Sequence, residues 1–212
     1  MDIFINDKKL DGAGNEEQTV QDVVVRIQEN HCPPNHIVMG IMCDGMPIEG
    51  GKMAEAMIRP IVDIQRLDVI TSTKEALVAD AMVQASATLE DTESACQRVA
   101  ELVSEAKSQE AVVLLGQCLS VWQQIHEAVA KSIAMLELDA DSITIRDESL
   151  DSIIGKPKGV LLQMKSALES QDHVLLADIL QYEFSEVTDS WHSVITMLRT
   201  QAEERLNKLA AS

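Results

Sequence analysis

The chain has 212 residues, of which 46% are hydrophobic and 25% charged, the balance of a globular protein with a sizeable core rather than of a disordered tail. Its 35 acidic and 17 basic residues give a formal charge of -18, and only 2% of residues are aromatic. A surplus of negative charge repels phosphate backbones and anionic bilayers, and so few rings offer little to stack bases or sugars on, so nucleic acid and membrane are not expected as direct partners.

No uncharged apolar run reaches the roughly 18 residues that suggest a membrane span. Asp2 and Asp7 stand where a signal peptide would carry Lys or Arg. Cys32, Cys43, Cys96 and Cys118 form no CxxC pair, so free and buried thiols are expected, and with them a cytoplasmic location. Twelve acidic and 6 basic residues precede Thr73 and 23 acidic and 11 basic follow from it, so both parts are acidic and the charge reads as a solvated surface.

The chain opens on Met-Asp-Ile-Phe-Ile-Asn, an alternating β-branched and aromatic strand, followed by the turn signal Asp7-Lys8-Lys9 and a short run near Leu10. A glycine-rich loop with Gly12 and Gly14 leads to Thr19, which can cap a helix whose apolar stripe is Val20, Val23, Val24 and Ile27. That helix is expected to end before Cys32-Pro33-Pro34. Residues 37–43 form an apolar strand, Asp44-Gly45 turns it, residues 46–48 return, and residues 64–71 make the last strand.

Residues 1–5, then Thr19-Val20-Gln21-Asp22-Val23 with Arg26-Ile27-Gln28, then Pro33-Pro34, a strand ending at Gly45 and Leu67-Asp68-Val69-Ile70 together resemble the ubiquitin-like β-grasp family. The resemblance covers residues 1–72 and implies a β-grasp fold whose open sheet face is the usual partner site. No diglycine follows the last strand, and Gly50-Gly51 lies in mid-domain, so a conjugating or sulfur-carrier role is not expected.

From Thr73 the hydrophobic period lengthens from two to between three and four. Thr73 can cap a helix with the seam Leu77, Ala81, Ala85, Leu89, Cys96, Val99 and Val103, with a break expected near Thr92. The clearest spacing in the chain is Val112, Leu115, Leu119, Trp122, His126, Val129, Ile133 and Leu136. Residues 137–148 read as an irregular acidic linker, and the run from Gly155 to Gly159 as the punctuated start of a shorter helix through Val160, Leu161, Met164 and Leu168. Asp172 can cap a last helix with the seam Leu180, Phe184, Val187, Trp191, Val194 and Leu198. The fold class is thus α+β: a β-grasp-like domain over 1–72 followed by an antiparallel four-helix bundle over 73–212.

Catalytic motifs are missing: no phosphate loop, dinucleotide fingerprint or nucleophile elbow is present. His31, Cys32, His36 and Cys43 come nearest to a metal constellation, but two prolines stiffen their loop and zinc-like spacing is lacking, so no metal and no cofactor is expected. Met39, Met42, Met46, Met53 and Met57 crowd into nineteen residues; soft thioethers can serve copper, an adaptable binding surface or a core without aromatics. Along residues 37–43, strict alternation would put Ile37, Met39, Ile41 and Cys43 on one face and Val38, Gly40 and Met42 on the other, both apolar.

A strand apolar on both sides needs a cover on its open face, either the chain's own helical bundle or a second protein, and for the second Val38, Met39, Met42, Met46, Met53 and Met57 are the candidate protein-binding residues. The acidic cluster of Asp139, Asp141, Asp147, Glu148 and Asp151 lacks the ligand spacing of a calcium loop, and His126 reads as a neutral core histidine. Asp178, Tyr182 and Glu183 lack the Glu-x-x-His partners of a di-iron site. The sequence therefore points to a non-enzymatic adaptor or chaperone-like protein. The alternatives are a self-associating structural protein and a metal-binding protein or enzyme with its site in residues 31–57.

Overall fold

The structure, a computed structural model, describes residues 1–10, 19–48, 50–105 and 107–211. It is mixed α+β, with an N-terminal mixed sheet and a C-terminal helical region, and divides into two compact units, Met1–Lys74 and Glu75–Ser212. The glycine-rich loop expected at Gly12 and Gly14 lies outside the described residues.

The first unit is built on a five-stranded sheet. Strands β1 (Asp2–Ile5) and β2 (Lys8–Leu10) pair antiparallel through a turn whose Asn6 and Asp7 both have positive φ, 46° and 64°. Two successive left-handed residues match the twist of a hairpin, and Asn and Asp tolerate them best after glycine. Strand β3 (His36–Cys43) turns at Asp44-Gly45, again both at positive φ, into β4 (Met46–Pro47). Strand β5 (Arg66–Thr73) runs through the middle, parallel to β1 and antiparallel to β3, giving the order β2-β1-β5-β3-β4.

Helix α1 (Val20–Asn30) lays Val20, Val23, Val24 and Ile27 into one core with Ile3, Ile41, Cys43, Leu67 and Val69. Ile61 and Ile64 complete that core, from the connection that follows a short helix α2 (Met53–Met57). Thr19 caps α1: its hydroxyl accepts from the Asp22 backbone N–H at 3.3 Å, and its own backbone N–H donates to the Asp22 carboxylate at 3.0 Å. This reciprocal box satisfies two donors that the first turn would otherwise leave open.

Thr19→Ala is expected to lower the stability of the first unit by about 1 kcal/mol, read by urea unfolding. The Thr19 backbone N–H, and then its hydroxyl, hold the Asp22 carboxyl below its ordinary value of 3.8. A carboxyl depressed in the folded state stabilises above its unfolded pKa, and that contribution is lost as the pH falls through the lowered one. Amide protection in the first turn of α1, corrected for the intrinsic exchange rate, should therefore fall only below about pH 4 in the native protein.

The second unit is helical. Helix α3 (Lys74–Ser104) runs without the break expected near Thr92, because the Thr92 hydroxyl donates back to the Thr88 carbonyl at 2.7 Å inside the helix. Helix α4 (Ser108–Met135) follows, and the Arg205 guanidinium donates to the Leu136 carbonyl just past its end at 2.6 Å. The expected acidic linker contains a small hairpin, β6 (Thr144–Ile145) with β7 (Glu148–Ser149), turned by Arg146 and Asp147 at positive φ.

Helix α5 (Leu150–Glu169) starts at Ser149, whose hydroxyl accepts from the Ser152 backbone N–H, and so carries Gly155, Pro157 and Gly159 in its interior rather than at its start. Asp172 caps α6 (His173–Asp178), which continues through a wide π-type turn at residues 179–183 into α7 (Phe184–Ala210). Apolar side chains from α3, α4, α5, α6 and α7 merge into a single core.

Gly155 and Gly159 sit in helical backbone, and a Cβ at either would meet no atom within 4 Å. Nothing local requires glycine there. Each Gly→Ala change is expected to stabilise the second unit by about 0.5–1 kcal/mol, measurable as a rise in the thermal midpoint by circular dichroism.

Candidate functional groove

Helix α4 buries Ala111, Leu115, Cys118, Trp122, Ile125, Val129 and Ser132, with Leu136 just past its end, an unbroken three-four spacing that shares Leu115, Trp122, Val129 and Leu136 with the expected seam but not Val112, Leu119, His126 and Ile133. The correction has a simple cause: the two rows are neighbours on one helix, and both are largely apolar. Val112 is exposed, while Leu119, His126 and Ile133 are half-buried on the flank. His126 is therefore not a core histidine but an edge one, with its ring 5.4 Å from that of Trp191.

That flank forms one wall of a groove of about 690 Å³, where Leu119, Trp122, Gln123 and His126 of α4 face α5. The α5 wall is Ile154, Pro157, Lys158, Leu161, Leu162, Met164, Lys165 and Leu168. Beneath it, Trp122 packs on Phe184 at 5.0 Å and on Trp191 at 5.1 Å, both pairs tilted, so three of the five aromatic residues support the groove floor. Trp122 is 98% buried, yet its indole N–H finds no acceptor among the described residues. A buried donor left unpaired costs about 1–3 kcal/mol, an unusual feature beside an apolar groove.

The groove's charge runs against that of the chain. No acidic residue lines it, whereas Lys158 and Lys165 do, Lys165 lying 3.7 Å from Glu169 on the solvent side. Its size falls in the range of ligand and side-chain docking clefts, about 300–1,000 Å³.

The sheet face chosen from the sequence is arranged differently from strict alternation. Ile41 and Cys43 pair with Val69 and Leu67 and face α1 as expected, but the register then slips: Gly40 pairs with Ile70 and Val38 with Thr71. The extra residue, Met39, is a β-bulge, and a bulge inverts the facing of everything beyond it. Val38 consequently packs against the core, a correction to its placement on the open face.

Ile37, Met39 and Ile70 are exposed on the outer side, Met42 is half-buried, and Met46 is 72% exposed on the edge strand. Met53 and Met57 pack against the core beneath the sheet and are not open-face residues. The remainder of the outer face is polar. Arg66 grips Asp68 through two donors, Nε to Oδ2 at 2.8 Å and Nη2 to Oδ1 at 2.6 Å, and its guanidinium lies 4.0 Å from the Phe4 ring centre. Lys9 pairs with Asp2 at 2.8 Å.

The metal candidates do not gather. The Cys32 thiol donates to the His36 carbonyl at 3.4 Å, the His36 ring Nδ1 lies 3.0 Å from the Pro34 carbonyl, and Cys43 turns into the core, where burial pushes its thiol up. Among the described residues no three His, Cys, Asp or Glu side chains converge as metal ligands would. All four cysteines are free. Cys96 and Cys118 meet in the second core, and the hydrogen bond to Cys118, together with burial, raises the Cys96 thiol far above its ordinary value. No helix among the described residues is long and apolar enough to cross a membrane.

The groove carried a partial signal in the sequence. Leu119, Trp122 and His126 lie on the expected α4 spacing and Leu161, Met164 and Leu168 on the expected α5 spacing, but the start of the α5 wall was obscured because Gly155, Pro157 and Gly159 resemble a loop. A family profile described as a domain of unknown function (DUF8042) matches residues 80–194, more than half of the chain and the whole of this groove. A second profile, described as the TP0873 N-terminal domain, matches residues 1–73. No curated protein and no solved structure matches.

Proposed function

The chain belongs to the DUF8042 family, a domain of unknown function, and on that premise we propose a non-enzymatic, chaperone-like adaptor that holds a partner protein in the groove between α4 and α5. The observation that carries this reading is the groove itself: apolar walls of Leu119, Ile154, Leu161, Leu162 and Leu168 left open to solvent on a rigid, aromatic-backed floor. Soluble proteins rarely leave such a surface uncovered unless something docks there. Burial of these side chains contributes about 25 cal/mol per Å² removed from water, against the ordering cost of association.

The helical region is proposed as an antiparallel four-helix bundle of α3, α4, α5 and the joined α6–α7, for which the shared core of these helices is the support. The first unit is proposed as a β-grasp, ubiquitin-like module, supported by its sheet order and by the helix crossing between β2 and β3. Four free thiols support a reducing compartment, the cytoplasm. Self-association is the second reading, favoured by the exposed Ile37, Met39 and Ile70 on one sheet face. Light scattering on Met39→Asp separates it: a dimer dispersed by that change would transfer the function to the sheet.

The adaptor reading is tested by placing a photo-crosslinking amino acid at Leu162, which is 59% exposed on the groove wall, and irradiating living cells. One discrete protein adduct, lost when Leu161→Asp is added and retained with Met39→Asp, is expected. Adducts insensitive to Leu161→Asp, or none to protein, contradict it.

A further inference from the structure

We infer that the occupant of the groove is an acidic amphipathic α-helix of the partner protein, an inference that rests on the reading of the groove as a docking surface. Along the α5 wall, beside Pro157, Leu162 and Met164, runs a stripe of Ile154, Lys158, Leu161, Lys165 and Leu168 at alternating steps of four and three. Apolar and cationic side chains alternate along it. The two lysines are seven residues apart, about 10.5 Å along the helix at 1.5 Å per residue.

That repeat decides between occupants. An acyl chain or a compact anion presents one headgroup, so it can meet one of these two exposed lysines and offers nothing to the other. A helix laid along the groove has the same repeat as α5. Its apolar residues at three-four spacing meet Leu119, Leu161 and Leu168, and carboxylates seven residues apart come opposite both lysines.

Charge complementarity points the same way: a chain with 35 acidic residues places none on the groove wall and two lysines there. Elsewhere its own negative surface would repel an acidic partner, so the groove is a local reversal that selects where such a helix lands. Such pairs at a rim govern orientation and encounter rate more than raw affinity. The stripe from Ile154 to Leu168 spans about 21 Å, the length of two heptads of partner helix.

The test titrates the full chain with two synthetic helical peptides of about three heptads, both with leucine at the a and d positions, one with glutamate and one with lysine at the flanking e and g positions. Binding is followed by calorimetry and by the fluorescence of Trp122, and dodecanoate is the lipid probe. The glutamate peptide is expected to bind roughly tenfold or more tightly than the lysine peptide, with an affinity that falls as salt rises. The double variant Lys158→Glu with Lys165→Glu, both residues exposed, should reverse that preference without changing the far-ultraviolet spectrum.

Equal binding of both peptides overturns the acidic-helix inference and leaves the docking reading standing. Saturation by dodecanoate with neither peptide bound overturns both, in favour of a lipid carrier, and so does binding of no probe. A peptide-free dimer that the double variant disperses in light scattering also overturns the inference, because the occupant would then be a second copy of this chain.

Discussion

Trp191→Ala is expected to cost the protein about 3–5 kcal/mol, the largest loss from any single truncation in the helical unit. Trp191 is fully buried, its ring 5.1 Å from Trp122 and 5.4 Å from His126, and α7 carries it between Val187 and Val194, both also buried. Truncation removes the transfer energy of an indole and leaves a void that the surrounding helices can only partly close.

Trp191→Phe is expected to cost far less, under about 1.5 kcal/mol, because it retains most of the ring volume and removes an indole N–H that has no acceptor among the described residues. Urea unfolding followed by circular dichroism measures both. Similar losses for Phe and Ala would mean that the ring's volume is not what the core uses. Trp191 also stands behind Trp122 and His126, so the alanine variant should weaken groove binding even under conditions where it remains folded.

The second large effect belongs to the sheet. Leu67→Ala is expected to destabilise the first unit by about 2–5 kcal/mol, a large share of the 5–15 kcal/mol typical of a whole domain. Leu67 is fully buried on β5, opposite Ile3 of β1 and Cys43 of β3, and among the described residues its core holds eleven buried apolar residues. Amide exchange of β1, β3 and β5 should rise together, since β5 lies between the other two and pairs with both. Exchange confined to the ends of β5 would contradict this.

These two residues also show how the sequence could and could not be read. Trp191 and its neighbours on α7 lie on a spacing that any helix period reveals, and Leu67 and Val69 alternate with the charged Arg66 and Asp68 in strand period. Their burial was legible for that reason. Where the reading went astray, a local event had broken a regular period. The bulge at Met39 adds one residue to β3 and turns Val38 from the open face to the core, and its one sequence mark is Gly40 beside it, a glycine inside a strand pattern.

On α5, the helix is capped at Ser149 and buries Leu150, Ile153, Pro157, Val160 and Met164, and that tertiary packing holds inside it residues that usually end helices. Ile154, Pro157 and Lys158 line the groove in that stretch, so that end of the candidate site was hidden, while Leu161, Met164 and Leu168 lay on the expected spacing. On α4 two apolar rows stood side by side, and choosing the wrong one placed His126 and Leu119 in the core instead of on the groove wall. Methionine crowding was informative about composition but not about place: Met53 and Met57 fill beneath the sheet, while Met46 stands at its edge.

The central claim is that the groove between α4 and α5, rather than the sheet, receives the partner. Residue-resolved NMR of the full chain with the glutamate peptide tests it most directly. The account predicts saturable shifts clustered on Leu119, Trp122, His126, Leu161 and Leu168, abolished by Lys158→Glu with Lys165→Glu. Shifts centred on Ile37, Met39 and Ile70, or none at saturating peptide, would contradict it.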